Sequence, residues 1–288
     1  MPNRAPVALL LLLALFAGAC GGDGGPGPAP THGPTATASH GRAGQAGAGA
    51  APSPTAARPP AKPGGKPAKP GGKPAAPPKT VSRPGPTKPD LAAIRAARHS
   101  TGVRAVALTF DDGPQPTWTP RVLDYLKSAQ VKATFCLIGV KAQEYPQLVA
   151  RIVREGHTLC NHSWSHDLRL GRQSPAAIRA DLLRTNDAIH KAAPGAPIKF
   201  FRQPGGEWTT PELAVVKELG MSPLHWAVDP QDWRSPGKAA IVASVEHHAH
   251  PGAIVLMHDG GGNRSGTVAA CPAVIPWLKQ RYGLVQLR

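Results

Sequence analysis

Short apolar segments alternate with amphipathic segments from residue 101 to the C-terminus. Apolar runs rich in β-branched and aromatic residues predict buried strands at 105–110, 132–138, 157–160, 198–201, 223–228, 253–257 and 284–287. Apolar residues recur at helical spacing in 144–155, 175–191, 211–219 and 272–281. Strands that alternate with helices in this way predict an α/β fold with a parallel sheet. About seven β/α units favour a closed or nearly closed (β/α) barrel, and an open doubly wound sheet is the alternative.

The first 20 residues have the pattern of a targeting segment. Arg4 precedes the apolar run Val7–Phe16, which is too short to span a bilayer stably. The small residues at 17–19 then lead to Cys20. This pattern resembles a bacterial lipoprotein signal, in which Cys20 would become the lipidated N-terminus. An ordinary cleaved signal peptide with an incidental Cys is the alternative.

Residues 21–100 form a segment rich in Pro, Ala and Gly, with no hydrophobic period. It holds eleven Lys and Arg against two Asp, and KPGGKPA occurs at 62–68 and again at 69–75. Such a composition predicts a disordered basic linker and excludes a second packed domain before residue 101. Much of the formal charge of +16 therefore lies in this linker. No aromatic residues stand between its basic residues, so we expect no nucleic acid partner.

Residues with catalytic chemistry follow several of the predicted strands. Asp111 and Asp112 come after 105–110, and His162 and His166 follow the strand at 157–160. Two His residues four apart on one face of a helical turn can hold a divalent ion. One Asp and two His would form a three-ligand site that leaves room for water and substrate, as catalytic zinc requires.

Three further candidate residues, Arg202, Asp232 and His258, follow later predicted strands. Arg202 could fix the charge and direction of a carboxylate, and the Gly residues after it could bring backbone N–H groups close to a ligand. Asp232 and His258 could form a general-acid pair, because a carboxylate raises the pKa of an adjacent imidazole. Each motif is weak by itself, since Asp, Gly and His are common at turns.

The five motifs in this order are TFDDGP, HSWSH, RQPGG, DPQDW and LMH. Together they resemble the signature motifs of the polysaccharide deacetylases, the NodB-homology enzymes of carbohydrate esterase family four. The resemblance covers about residues 104–288. It implies a distorted (β/α) barrel, a divalent metal ion that is usually zinc, and removal of acetyl groups from polysaccharides.

The resemblance also implies roles for individual residues. Asp111 resembles the catalytic base, which Arg202 would orient, and His258 resembles the general acid with Asp232 as its partner. The metal ligands would be Asp112, His162 and His166. Gly205 would offer a backbone N–H to the oxyanion, and Trp233 and Leu256 would be pocket walls. Many family members have an aromatic residue where this chain has Gly205, so we expect a wider sugar cleft on that side.

Three cysteines remain after Cys20. Cys136 and Cys160 lie on strands that should be neighbours, so they could form a disulfide in an exported protein, and two separate buried thiols are the alternative. An odd number of cysteines allows at most one internal bridge among the three.

The predicted domains are thus a lipoprotein-type signal at 1–20, a linker at 21–100 and a deacetylase domain at 101–288. We expect a monomer outside the cytoplasm, lipid-anchored to the outer face of the cytoplasmic membrane, or secreted if Cys20 is not modified. The expected substrate is an acetylated cell-wall polysaccharide, in particular peptidoglycan. A deacetylase or esterase of exogenous chitin oligosaccharides or acetylxylan, and an inactive wall-binding protein, are the alternatives.

Overall fold

The computed structural model describes the protein from residue 89 to residue 288. The predicted signal segment, including Cys20, and the linker up to residue 88 lie outside the described residues. In the described part of the chain, six parallel strands form one sheet in the order β5-β4-β3-β2-β1-β6. They are β1 (Ala107–Asp111), β2 (Thr134–Leu137), β3 (Thr158–Asn161), β4 (Ile198–Phe201), β5 (Ser222–Pro223) and β6 (Ile254–His258).

Within residues 89–288, eight α-helices connect or flank these strands. They are α1 (Leu91–Ala96), α2 (Thr119–Ser128), α3 (Gly139–Glu144), α4 (Pro146–Arg154), α5 (Pro175–Ala192), α6 (Thr210–Glu218), α7 (Lys238–His248) and α8 (Ser265–Tyr282). The N-terminus of α5 follows from local chemistry, because the Ser174 side chain accepts the N–H of Ala177 and Pro175 stands in the first turn, where no N–H is needed. No helix in the described range has the length and apolar character needed to cross a bilayer.

The sheet curls into a half-barrel, which confirms the predicted α/β fold with a parallel sheet and the distorted barrel that the resemblance implies. After β5 the chain returns to the opposite edge, where Val228 pairs with Val255 of β6. The predicted strand at 223–228 is therefore wrong over most of its length. Pro223 has no N–H to continue the ladder, and the chain crosses from one edge of the sheet to the other instead. The predicted strand at 284–287 is likewise reduced to a single bridge between Leu284 and Val106.

The two faces of the sheet pack against different partners. Alternate residues such as Leu108, Phe135 and Val255 belong to the large cluster that includes buried residues of α2, α4, α7 and α8. The residues between them, including Ala107, Phe200 and Ile254, form a smaller cluster inside the curl. Cys136 and Cys160 are paired across β2 and β3 in this inner cluster and form a disulfide. Cys271 is buried in α8 and has no disulfide partner among the described residues.

The sequence predicted that the folded domain begins at residue 101. In the structure, the packed part of the chain begins earlier. In α1, Ala93 is buried with residues of α6, and Ala97 just after the helix belongs to the same cluster. Asp90 caps α1 and also accepts hydrogen bonds from the backbone and side chain of Thr210 at the start of α6. The segment before residue 101 thus contributes to the fold.

Candidate active site

Two of the site residues, Asp111 and His258, are the last residues of their strands and lie on the inner face of the sheet. Asp111 lies two and four positions after Thr109 and Ala107, so all three share the face inside the curl. The same period of two relates Ile254 to Leu256 and His258. Asp111 and His258 are also paired in register across β1 and β6. Because the strands are parallel, their carboxyl ends bring these side chains to one edge of the barrel.

Asp111 is buried, and its two carboxylate oxygens face different partners. Oδ1 accepts a hydrogen bond of 2.6 Å from Nη1 of Arg202, which follows β4 and is fully buried. The same Nη1 donates to the Thr109 hydroxyl at 2.9 Å, which fixes the guanidinium from a second side. Oδ2 lies 3.6 Å from Nε2 of His162. One oxygen is therefore held by Arg202, and the other faces the His residues.

Asp112, His162 and His166 are brought together as the sequence predicted, although the path of the chain differs. The segment 162–166 forms no helical turn, and Ser163 and His166 have positive φ angles of 63° and 59°. A tight turn therefore folds His166 back toward His162, and their ring centroids are 5.0 Å apart. Nε2 of His162 lies 3.5 Å from Oδ1 of Asp112, and Nε2 of His166 lies 3.3 Å from the same oxygen.

These three side chains fit a divalent metal ion. Their ligand atoms lie within 4.8 Å of one another, and bonds of about 2 Å at tetrahedral angles would separate such atoms by about 3.3 Å. Oδ1 of Asp112 is buried and has no hydrogen-bond partner among the described residues. Nδ1 of His162 lies 2.8 Å from the Arg202 carbonyl and must donate to it, which leaves the lone pair of Nε2 free.

The glycine-rich loop after β6 makes room for the carboxylate of Asp112. A Cβ at Gly261 would collide with this carboxylate, and φ at Gly261 is +72°. Burial opposes ionisation of Asp112, but the neighbouring imidazoles, His162 above all, outweigh it and hold the pKa of Asp112 well below its usual range. The local arrangement thus favours an ionised carboxylate, which is the form that binds a cation.

His258 and Asp232 form a buried pair on the other side of the site. Nδ1 of His258 lies 2.7 Å from Oδ1 of Asp232, and the backbone N–H of His258 donates to Oδ2 at 2.9 Å. Burial lowers the pKa of His258, but the hydrogen bond and charge of Asp232 outweigh it, so the pKa is raised. The imidazole is thereby favoured in its protonated form, with Nε2–H available to donate.

A cavity of about 450 Å³ joins these groups. As predicted, Gly205, Trp233 and Leu256 line it together with the two Asp and three His residues. Gly205 has a φ of +70°, and a Cβ there would lie 3.1 Å from Leu168, so Leu168 lies on the side where a wider cleft was expected. Trp233 is 44% exposed, which leaves an aromatic surface at the rim.

Sequence reasoning missed several residues of the site. The cavity is also lined by Leu168, Trp226, Asp229, Gly261 and Arg264. Thr109 and Thr267, which hold Arg202 and Asp232, were missed as well. Thr109 could have been found, because it lies two positions before Asp111 and shares its face of the strand. No local sequence pattern points to Thr267, because it lies on α8, 35 residues after Asp232 along the chain.

Known proteins similar to this chain include deacetylases of polysaccharides or oligosaccharides. The family model described as polysaccharide deacetylase matches residues 98–224. A chitooligosaccharide deacetylase of Bradyrhizobium sp. (strain ANU 289) is 42% identical over 192 residues, which cover 63% of this chain and 87% of that protein. A peptidoglycan-N-acetylglucosamine deacetylase of Bacillus cereus is 40% identical over 180 residues, covering 62% and 83%. The crystal structure of a peptidoglycan N-acetylglucosamine deacetylase matches with a TM-score of 0.63 at 36% identity, covering 67% of this chain and 91% of that one.

Proposed function

Because the chain belongs to the polysaccharide deacetylase family, we propose that it removes N-acetyl groups from amino sugars of peptidoglycan and releases acetate. One observation carries this proposal. A carboxylate held by Arg202 and an imidazole held by Asp232 face the same cavity beside a candidate metal site. Hydrolysis of an amide needs both groups, because water must lose a proton and the leaving amine must gain one.

We propose that Asp112, His162 and His166 hold one divalent ion and that this ion is zinc. Two imidazoles and one carboxylate are a ligand set typical of catalytic zinc. An ion held there would supply Lewis-acid polarisation of water and of the acetyl carbonyl. The ligand set also suits other divalent transition metals, so zinc is a part of the proposal that bound-metal analysis must test.

Asp111 is the proposed base. Arg202 occupies its Oδ1, so Oδ2 is the oxygen that can take the proton from the attacking water. Fixing one oxygen also fixes the direction of the other. The buried ion pair of Asp111 and Arg202 thus positions the base before the substrate arrives.

His258 is the proposed general acid. Nδ1 is bound to Asp232, so Nε2 carries the proton that the leaving amine receives. An amine leaves far more readily once it is protonated. The backbone N–H near Gly205 is proposed to donate to the developing oxyanion, since it lines the cavity and its role needs no side chain.

Peptidoglycan is proposed over exogenous polymers for two reasons. One relative is named a peptidoglycan-N-acetylglucosamine deacetylase, and the lipoprotein-like segment would hold the enzyme near the cell's own wall. Other relatives are named chitooligosaccharide deacetylases, so chitin oligosaccharides are the second candidate. We further propose a monomer that is anchored through a lipid on Cys20 at the outer face of the cytoplasmic membrane.

The substrate proposal can be tested with the purified protein. Bound metal is measured first, and acetate release is then followed on peptidoglycan, chitin oligosaccharides and acetylxylan. We expect zinc-dependent acetate release that is fastest on peptidoglycan. Faster release from chitin oligosaccharides or acetylxylan would overturn the substrate assignment. No release from any of them by the metal-loaded protein would support an inactive wall-binding protein instead.

A further inference from the structure

We propose that Thr267 is a positioning residue for the acid His258, and that it acts by fixing the carboxylate of Asp232. Its hydroxyl donates a hydrogen bond of 2.7 Å to Oδ2 of Asp232. Both residues are 1% exposed, so water does not compete for this contact. The proposal rests on the deacetylase function proposed above, in which His258 gives a proton to the leaving amine.

Among the described residues, three donors reach the Asp232 carboxylate. Two come from His258 itself, through Nδ1 to Oδ1 and through the backbone N–H to Oδ2. The third is the Thr267 hydroxyl, on an element that contains neither member of the pair. The two bonds from His258 attach the Asp232 carboxylate to the end of β6. The Thr267 hydroxyl attaches the same carboxylate to a second element, α8, and so fixes it from another side.

The first turn of α8 also holds the main chain around Asp232. Nη1 of Arg264 donates to the carbonyl of Trp233 at 3.1 Å and lies 3.4 Å from that of Asp232, while its Nε donates to Gly260 at 2.6 Å. Arg264 is 3% exposed. Arg264 and Thr267, at the start of α8, therefore both bind the segment around Asp232. Arg264 binds its backbone carbonyls, and Thr267 binds the carboxylate of Asp232.

The helix that carries Thr267 is itself firmly packed. Val268, Cys271 and Ile275 are buried in the large core cluster. The carbonyl of Thr267 also accepts a contact of 3.3 Å from Sγ of Cys271 one turn later. The hydroxyl of Thr267 therefore has a fixed position. Its hydrogen bond holds the Asp232 carboxylate in place, and that carboxylate in turn orients the His258 imidazole.

This role has a consequence that a purely structural role lacks. The leaving amine of an N-acetyl sugar needs the proton of His258, whereas the phenolate of an activated aryl acetate leaves without one. Both substrates need the base and the metal site equally. Loss of Thr267 should therefore slow amide hydrolysis while sparing hydrolysis of the aryl ester.

The test compares Thr267→Val and Thr267→Ser with a matched control, Thr185→Val. Thr185 is also a buried helical threonine, but its hydroxyl bonds the carbonyl of Asp181 in its own helix. Each full-length variant is assayed for kcat and KM on an N-acetyl substrate, for aryl acetate hydrolysis, for bound zinc and for thermal unfolding.

We expect Thr267→Val to lower kcat on the N-acetyl substrate by about tenfold, the range for one hydrogen bond to a buried charge. KM, bound zinc and the aryl acetate rate should stay within about twofold of wild type. Thr267→Ser should restore kcat, and Thr185→Val should leave it unchanged.

Equal losses on the amide and the ester, failure of serine to restore kcat, or the same loss in Thr185→Val would each overturn the proposal. Such results would leave the deacetylase function standing, provided that the wild type releases acetate. A metal-loaded wild type without N-acetyl activity would overturn the proposed function as well, so the two failures are distinguishable.

Discussion

At the scale of single residues, two ionisable pairs are buried in the site, Asp111 with Arg202 and Asp232 with His258. Arg202 is the clearest case, because its guanidinium is fully buried and bound to Asp111, to Thr109 and to the carbonyl of His225. A buried charge without a partner is strongly unfavourable. The stability of the domain and the alignment of its base therefore depend on the same ion pair.

Replacing Arg202 by Met should lower both stability and turnover. The change leaves Asp111 buried without its cation, so the free energy of unfolding should fall by about 3–5 kcal/mol. Arg172→Met is the control, because Arg172 pairs with Glu207 at the surface and such pairs contribute about 1 kcal/mol or less. Urea unfolding of both variants measures the difference. If Arg202→Met were as stable as Arg172→Met, the buried pair of Asp111 and Arg202 would not contribute to the free energy of unfolding as we expect.

At the scale of elements, the start of α6 contains an ionisable group in an unusual place. Thr209 caps the helix and Glu212 stands three residues later, a sequence typical of a capping box. The Glu212 side chain is instead fully buried beside Gly171, and within residues 89–288 neither of its carboxylate oxygens has a hydrogen-bond partner. Burial raises the pKa of Glu212 to about 8 from its ordinary value of 4.5.

This shift predicts a pH dependence of stability. Between pH 4.5 and about pH 8 the folded chain holds a proton on Glu212 that the unfolded chain has lost. The free energy of unfolding should therefore fall as the pH rises through this window. Glu212→Gln should reduce that slope by the contribution of one carboxyl group, and it should be more stable than wild type above pH 8 and nearly equal to it below pH 4.5.

Chemical unfolding across this pH range tests the prediction, with Glu246→Gln as the control. Glu246 is exposed on α7, so its replacement should leave the slope unchanged. A Glu212→Gln protein that kept the slope of wild type would show that another group is responsible.

Much of the sheet could be predicted because its strands are continuous apolar runs that end at polar motifs. Helix α5 was also predictable, since Ser174 marks its start and its apolar residues recur with helical period. Helix α7 was missed because only Ile241 and Val245 are buried along its eleven residues. The turn at 162–166 was mistaken for a helix because spacing alone does not reveal positive φ angles. Contacts such as Thr267 with Asp232 depend on the tertiary fold and leave no local pattern.

At the scale of the whole molecule, the start of the folded part is set by contacts across the chain. Nδ1 of His99 lies 3.0 Å from the carbonyl oxygen of Trp226, a residue that lines the active-site cavity. The ring of His99 also packs edge-on against the ring of His225. Asp90 is bound to Thr210, and Arg98 donates to the carbonyl of Thr101. A domain that begins at residue 101 would lose all of these contacts, because each of them is made by a residue before 101.

A protein that begins at residue 89 should therefore be more stable than one that begins at residue 101. The shorter protein loses at least three hydrogen bonds of roughly 1 kcal/mol each, so a deficit of about 3 kcal/mol is expected. Both should bind zinc, and the longer one should keep full activity on soluble substrate. Equal unfolding free energies would show that the segment before residue 101 is dispensable.

The proposed lipid anchor predicts the behaviour of the full-length chain in cells. Cys20→Ser removes the thiol that would carry the lipid, so the protein should leave the membrane fraction and appear in the soluble envelope or the medium. Its specific activity on soluble substrate should not change, because Cys20 lies outside the catalytic domain. Continued membrane association of the variant would point to a different anchor.

The central claim is that two adjacent carboxylates divide the chemistry, with Asp112 binding the metal and Asp111 accepting the proton. The most direct test measures bound zinc and acetate release for Asp111→Asn and Asp112→Asn. Asp112→Asn should lose zinc together with turnover and be partly rescued by excess zinc, because an amide oxygen is a weaker ligand than a carboxylate. Asp111→Asn should keep its zinc, lose about 10²- to 10⁴-fold in kcat and show no rescue. Equal loss of zinc in both variants, or an active Asp111→Asn protein, would contradict the account.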